Sequence, residues 1–325
     1  MADPEVLRWE TLTKKRFDEI DRSRAVVLLT CSPLEVHGPH LPMGADALEG
    51  EGLAERMLRF LPEKHRDRTF LKLPFIYAAT DVVPQPGSLQ FQPATTMTVL
   101  EDLGRTLAAQ GFQNVFVSNF HGGPRHFLAI EKACDRVNKR HGIRMVCVFS
   151  LMISRLTEGT SNLDDVLGDV PGVNKSDLAG DTHGGLVETS QLLALHADWV
   201  APDYKHLPRM TSELWLAQQG RQKLEAKRGG RLRNLWGMIR AQRSGAGYFN
   251  EISYSGAPAG ASAELGERFL DLLGRKAGEA VGELLDGTIG PEDCHSPIWP
   301  LRFVFLNPLM IRLTNWWIGM KIPIA

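Results

Sequence analysis

A three-layer α/β/α fold around a mostly parallel central sheet is the architecture this sequence predicts. Three features point to it. Short, continuous apolar runs rich in β-branched residues alternate with stretches at helical spacing through the first two-thirds of the chain. The connections between them are short, which suits parallel strands covered by helices on both faces. Two histidine-bearing turns, SPLEVHGPH and HGGPRH, also fall just past the ends of predicted strands, where open α/β sheets gather ligands.

Each element has its own signal. RAVVLLT (24–30) reads as a buried strand. DALEGEGLAERMLRFL (46–61) sets Leu48, Leu53, Met57 and Leu61 on one stripe and reads as a helix. RTFLKLPFIYA (68–78) is the next strand, with Pro74 marking an end or a bulge. ATTMTVLEDLGRTLAAQG (94–111) is a helix, capped by one of its threonines and stopped at Gly111. NVFVSNF (114–120) is a strand, RHFLAIEKACDRVNKRHG (125–142) a helix and IRMVCVFS (143–150) a strand. Residues 150–180 read as loop. GLVETSQLLALH (185–196) is a buried helix, and 263–285 a long amphipathic one.

Composition narrows the function classes. The chain has 325 residues, 43% hydrophobic and 23% charged, with a net charge of -1. That is globular composition, and its balance gives no reason to expect nucleic-acid binding. The charged start lacks the apolar core of a secretory signal, and no uninterrupted apolar stretch is long enough for a transmembrane span. Cys31, Cys134, Cys147 and Cys294 lie far apart without CxxC pairing. Free buried thiols and a cytoplasmic, reducing compartment are expected.

Chemistry concentrates in three pieces: LEVHGPHLPMGAD with Glu35, His37, His40 and Asp46; FHGGPRH with His121 and His126; and GDTHGGLVETS with Asp181, His183 and Glu188. Five of the ten histidines fall there, more than solvated turns require. Divalent ions such as zinc accept imidazole and carboxylate together. Glu35 and His37, two apart on an extended segment, point the same way and offer one ligand to each of two neighbouring ions. The competing reading is a polar turn after a strand, and spacing alone leaves both open. Rival chemistries fit worse, since the chain has no GxSxG elbow, P-loop or Rossmann glycine fingerprint.

PLEVHGPHLPMGAD, FHGGPRH and DTHGGLVETS, with PQPGSLQ and SGAPAGASAELGER, resemble in order five segments of the creatininase (creatinine amidohydrolase) family, over roughly residues 15 to 285. The resemblance implies a single α/β domain holding two divalent ions, zinc first with manganese or iron as alternatives. It implies Glu35, Asp46 and His121 as ligands of one ion. His37, Asp46 and Glu188 are implied for the other, with Asp46 bridging. His183 then matches a histidine that binds substrate or shuttles a proton, and Gly122 and Gly184 become substrate-contacting backbone. The expected reaction is hydrolysis of a non-peptide or cyclic amide C–N bond by a hydroxide held between the ions. The chain departs from the family at Pro33-Leu34, Val36, Phe120 and Pro124. It also has Gly123 where creatinine-hydrolysing members carry glutamate, which puts creatinine itself in doubt.

Other residues receive plainer expectations. His40 makes a loop hydrogen bond, His126 is an exposed residue near a helix start, and Asp181 orients His183 or serves the turn. The basic segment 208–243 is a solvated face. Domain organisation is read as 1–290 for the creatininase-like domain and 291–325 for an apolar extension. That extension contains no acid from 297 onward. It is expected to pack across the domain or on a neighbouring subunit of a homo-oligomer, with peripheral membrane contact as the alternative. The competing function is a binding or assembly protein whose metal site is only structural.

Overall fold

The computed structural model describes residues 4–157, 163–221 and 247–318. Five strands form its sheet: β1 Val6–Arg8, β2 Val26–Thr30, β3 Phe70–Lys72, β4 Asn114–Ser118 and β5 Arg144–Cys147. Their order is β1-β3-β2-β4-β5, and every neighbouring pair is parallel. β2 and β4 are buried at every position. This explains why their sequences read as continuous apolar runs rather than alternations.

The alternation reappears in which core each side chain enters. Val26 and Leu28 join Phe70, Phe116 and Val146 in one core. Val27 and Leu29 join Leu71, Val115 and Val117 in the other. Six helices cover the two faces: α1 Ala45–Arg59, α2 Pro93–Ala109, α3 Pro124–His141, α4 Val148–Leu156, α5 Leu186–His196 and α6 Ala263–Asp286. α1, α4, α5 and α6 pack on the first core; α2 and α3 pack on the second. Three layers result, as expected.

Most predicted boundaries hold to within a few residues. α3 and α6 end on left-handed glycines, Gly142 and Gly287. Ser262 caps α6 by accepting from the Leu265 N–H. Several expectations fail for local reasons. The 68–78 strand shrinks to three residues because Pro74 cannot donate to the ladder; pairing resumes only at Ile76, whose N–H reaches Thr30 O. α2 uses no threonine cap. It starts at Pro93, whose fixed φ suits the first helical position. The 143–150 run is divided between β5 and α4, and the 150–180 stretch also contains helices Leu163–Gly168 and Lys175–Leu178. A short apolar run does not separate strand from buried helix. β1, three residues at the sheet edge, has no clear sequence signal.

Of the basic segment, residues 222–246 lie outside the described residues; Ser212–Gln218 is helical. The C-terminal extension folds back onto α3. Trp299, Phe305 and Leu306 pack against the second core. Helix α7, Pro308–Ile318, buries Ile311 and Asn315 and exposes Leu309, Leu313 and Trp316. Among the described residues, no helix is long and apolar enough to cross a membrane. All four cysteines are free and buried.

Candidate metal centre

The five residues expected as ligands meet at the carboxyl end of the sheet. β2 ends at Thr30 and its continuation carries Glu35 and His37; β4 ends at Ser118 and delivers His121. The first turns of α1 and α5 contribute Asp46 and Glu188. Glu35, His37, Asp46 and His121 are almost fully buried. Two glycines make the approach of these segments feasible. Gly38 turns the chain at φ 69, and Gly184, at φ 58, lies so close that a Cβ there would sit 3.2 Å from the His37 carbonyl.

Three overlapping triads present donor atoms within 4.8 Å of one another: Glu35, Asp46 and His121; His37, Asp46 and Glu188; and Glu35, His37 and His183. The first two are the expected ligand sets, and Asp46 belongs to both. His121 Nδ1 stands 3.0 Å from Glu35 Oε2 and 3.6 Å from Asp46 Oδ2. His37 Nε2 stands 3.4 Å from Asp46 Oδ1 and 3.7 Å from Glu188 Oε2.

The other ring nitrogens decide what these contacts mean. His37 Nδ1 faces Glu35 O at 3.0 Å, and His121 Nε2 faces Thr80 O at 3.0 Å. A carbonyl only accepts, so each of these nitrogens donates, and each neutral ring turns its lone pair toward carboxylates. Such an arrangement needs a cation between the groups, either a proton on the ring or a metal. Glu35 Oε2, His37 Nε2 and Asp46 Oδ2 are buried without a hydrogen-bond partner, which fits metal ligation.

Without metal the protons remain. Burial lowers the His37 pKa, but the Asp46 carboxylate outweighs it, with Glu188 and Glu35, and raises it to about 10. Burial is likewise outweighed at His121, where Glu35 leads the rise to about 9. Burial opposes ionisation of Asp46, but His37 holds it well below the usual carboxylate range. Burial pushes Glu188 up to about 7.

A pH dependence follows. A histidine with a raised folded pKa stabilises the fold fully below its unfolded value of about 6.5, and that stabilisation is lost as pH rises through the folded value. Chelator-treated protein is therefore expected to melt at lower temperature as pH is raised from 7 towards the folded values of about 9 and 10. Divalent metal, replacing both protons, should remove most of that loss. Thermal unfolding followed by circular dichroism, with and without chelator, measures both slopes; a rise with pH in the metal-free protein would contradict the charge arrangement.

His183 stacks on His37 with ring centroids 4.0 Å apart, and its Nε2 donates to Val36 O at 2.7 Å. Burial lowers its pKa to about 4, so the ring is neutral with Nδ1 as acceptor. It lines a pocket of about 250 Å³ with Glu35, Asp46, His121, Gly122 and Glu188, small even for a small-molecule site. Gly184 gives its N–H to Glu188 Oε2. His40, expected to make a loop hydrogen bond, instead meets the Thr189 hydroxyl of α5, with Nε2 2.8 Å from Oγ1. His126, expected to be exposed, is completely buried and donates from Nε2 to Cys31 O at 2.9 Å. It lies on the inner face of α3, beneath the His121 ring. The Asp181 carboxylate accepts from the Leu186 N–H at the start of α5, so it serves that helix end.

Sequence reasoning missed the loop 80–83 and Phe249. Asp81, Val82, Val83 and Phe249 line the pocket, Thr80 O orients His121 and Val83 N–H donates to Glu35. Two of these contacts are main-chain, and main-chain partners leave no trace in residue type.

Comparison with known proteins gives consistent matches. The sequence profile of the creatininase family, described as creatinine amidohydrolase, matches residues 10–281. No curated protein matches the chain. A solved structure titled "Creatininase Mn" is 20% identical, with a TM-score of 0.55, covering 87% of this chain and 99% of its own. A creatinine amidohydrolase (creatininase) structure is 19% identical, with a TM-score of 0.55, covering 85% and 97%. A mutant creatininase of zinc–zinc type is 17% identical, with a TM-score of 0.55, covering 87% and 98%. At these identities the likeness is one of fold.

Proposed function

The chain belongs to the creatininase family, and from that premise we propose that it is a metal-dependent amidohydrolase cleaving a non-peptide or cyclic amide C–N bond. Glu35, Asp46 and His121 would hold one divalent ion and His37, Asp46 and Glu188 the other, with Asp46 shared. Zinc is the first choice for this donor set and manganese or iron the alternatives. When bound, such a pair polarises an amide carbonyl and lowers the pKa of water. Solved creatininases include a manganese form and a zinc–zinc form, which supports the reading.

The protein's own groups do the rest. His183, neutral and held through Nε2, offers Nδ1 to take a proton from water and return it to the leaving nitrogen. Gly122 leaves open space at its α-carbon, and with Gly184 it is the backbone against which the substrate would lie. A small pocket favours a small amide. Gly123 supplies no side chain where creatinine-hydrolysing members carry glutamate, so the proposal is the family's chemistry on a substrate other than creatinine.

The observation that carries the reading is the pair of imidazole lone pairs aimed at buried carboxylates. Elemental analysis of protein purified without added metal tests it. About two divalent ions per chain would justify a screen of small cyclic amides and formamides. A chain holding none, even after dialysis against zinc or manganese, would leave a binding or assembly protein on the same fold.

One observation favours an added assembly role. Leu309, Leu313 and Trp316 form an exposed apolar row at 63%, 50% and 80% exposure, beyond the residues matched to the family profile. We propose that this row closes a homo-oligomer in the cytoplasm, a compartment supported by four free cysteines. Light scattering should show a multimer that Leu313→Glu with Trp316→Glu reduces to a smaller species. An unchanged mass, with vesicle binding lost in the variant, would favour the membrane instead.

A further inference from the structure

The C-terminal extension reaches the metal centre through a chain of polar contacts. Loop 80–83 grips two members of the first triad: Thr80 O accepts from the His121 Nε2–H, and Val83 N–H donates to Glu35 Oε1. Between these contacts sits Asp81 at φ 66, the single non-glycine residue in the left-handed region among the described residues. Aspartate tolerates that conformation better than most side chains, and it persists there when its surroundings hold it.

What holds it is Arg125. Its backbone N–H donates to Asp81 Oδ2 at 2.7 Å, and its guanidinium Nη1 lies 3.5 Å from Asp81 Oδ1. The same Nη1 donates to Asn315 Oδ1 at 2.7 Å. Arg125 and Asn315 are both buried, so solvent does little to weaken this link. Gly123 is part of the device. A Cβ at that position would stand 2.4 Å from His121 Nε2 and 2.7 Å from Asp81 Cβ. The absence of a side chain there is what lets the Asp81 loop close on His121.

We propose that Asn315 is a positioning residue, through which helix α7 sets the geometry and metal affinity of the Glu35–Asp46–His121 site. Asn315 lies outside the span matched to the family profile, which ends at residue 281. This inference rests on the two-metal reading above. Its effect is site-selective, because Arg125 and Asp81 brace the loop behind His121 and Glu35, while His37 and Glu188 are held by Glu35 O and the Gly184 N–H.

The test is a zinc titration of the full chain against a competing chelator, for the native protein, Asn315→Ala and Asn315→Asp. Outer-shell partners typically contribute about 10–100-fold in metal affinity. Asn315 acts at a further remove, through Arg125 and Asp81, so Asn315→Ala should weaken one of two zinc sites by up to about 10-fold and the other by less. Asn315→Asp, which still accepts from Arg125, should restore it. In a His37→Ala background, where the first triad alone is complete, Asn315→Ala should lower the affinity of the remaining ion. Two native-affinity sites in Asn315→Ala, or equal weakening of both, would overturn this inference alone. A native chain that binds fewer than two ions would overturn the two-metal reading and this inference with it.

Discussion

Alanine at Asp46 is expected to strip the protein of tightly held metal and to abolish turnover. Asp46 is the one side chain common to both triads, with Oδ1 3.4 Å from His37 Nε2 and Oδ2 3.6 Å from His121 Nδ1. Losing an outer-shell partner already costs about 10–100-fold, so losing the shared ligand should cost more than that at both sites. The fold should survive. Asp46 sits in the first turn of α1 and faces His37 and His121 rather than either apolar core, so its loss breaks a buried charge pair, at a cost of about 3–5 kcal/mol, without unpacking α1. Elemental analysis and circular dichroism on the same preparation separate the two effects. Native-like spectra with about two ions still bound would show that Asp46 does not bridge.

Gly266→Ala should produce the largest loss of stability from a single methyl group, with a sign opposite to helix propensity. Gly266 lies inside α6, where alanine is intrinsically favoured over glycine by about 1 kcal/mol. Here a Cβ would stand 1.9 Å from Ser190 O and 2.4 Å from Ser190 C. Those are backbone atoms of α5, which cannot swing aside as a side chain can. Overpacking usually costs about 1–3 kcal/mol, occasionally more, and a backbone clash this close belongs at or beyond the upper end. Ser190 follows Glu188 by two residues on the same helix. Pushing α5 outward carries Glu188 away from His37, so the second triad should lose metal before the first. Urea unfolding of chelated protein and a zinc titration measure the two consequences. A variant more stable than the native chain would mean that α5 and α6 do not pack this closely.

Much of the architecture was legible because burial writes itself into composition. β2 and β4 were readable as apolar runs since both faces of a central parallel strand are covered. α3 and α6 were readable from their helical spacing. Where burial is shared between element types the reading failed. Val148 and Phe149 looked like the end of a strand and begin α4, because both environments demand the same residues. His126 was misjudged for a related reason: nothing local says that the first turn of α3 faces inward, against Cys31 O.

The candidate site divides in the same way. Residue types and their order, together with the family resemblance, determined by themselves which side chains to consider: Glu35, His37, Asp46, His121, His183 and Glu188. They also determined the fold class, since alternating strands and helices with short connections admit few other arrangements. Only the tertiary structure decided that five of these residues, drawn from distant segments, form two triads sharing Asp46, with His183 stacked on His37. It alone revealed that Thr80 O, Val83 N–H and Val36 O orient them, and that Asn315 braces one edge through Arg125. The physical reason is that main-chain donors and acceptors are the same at every residue. Which of them a side chain meets depends on the path of the folded backbone rather than on the local sequence.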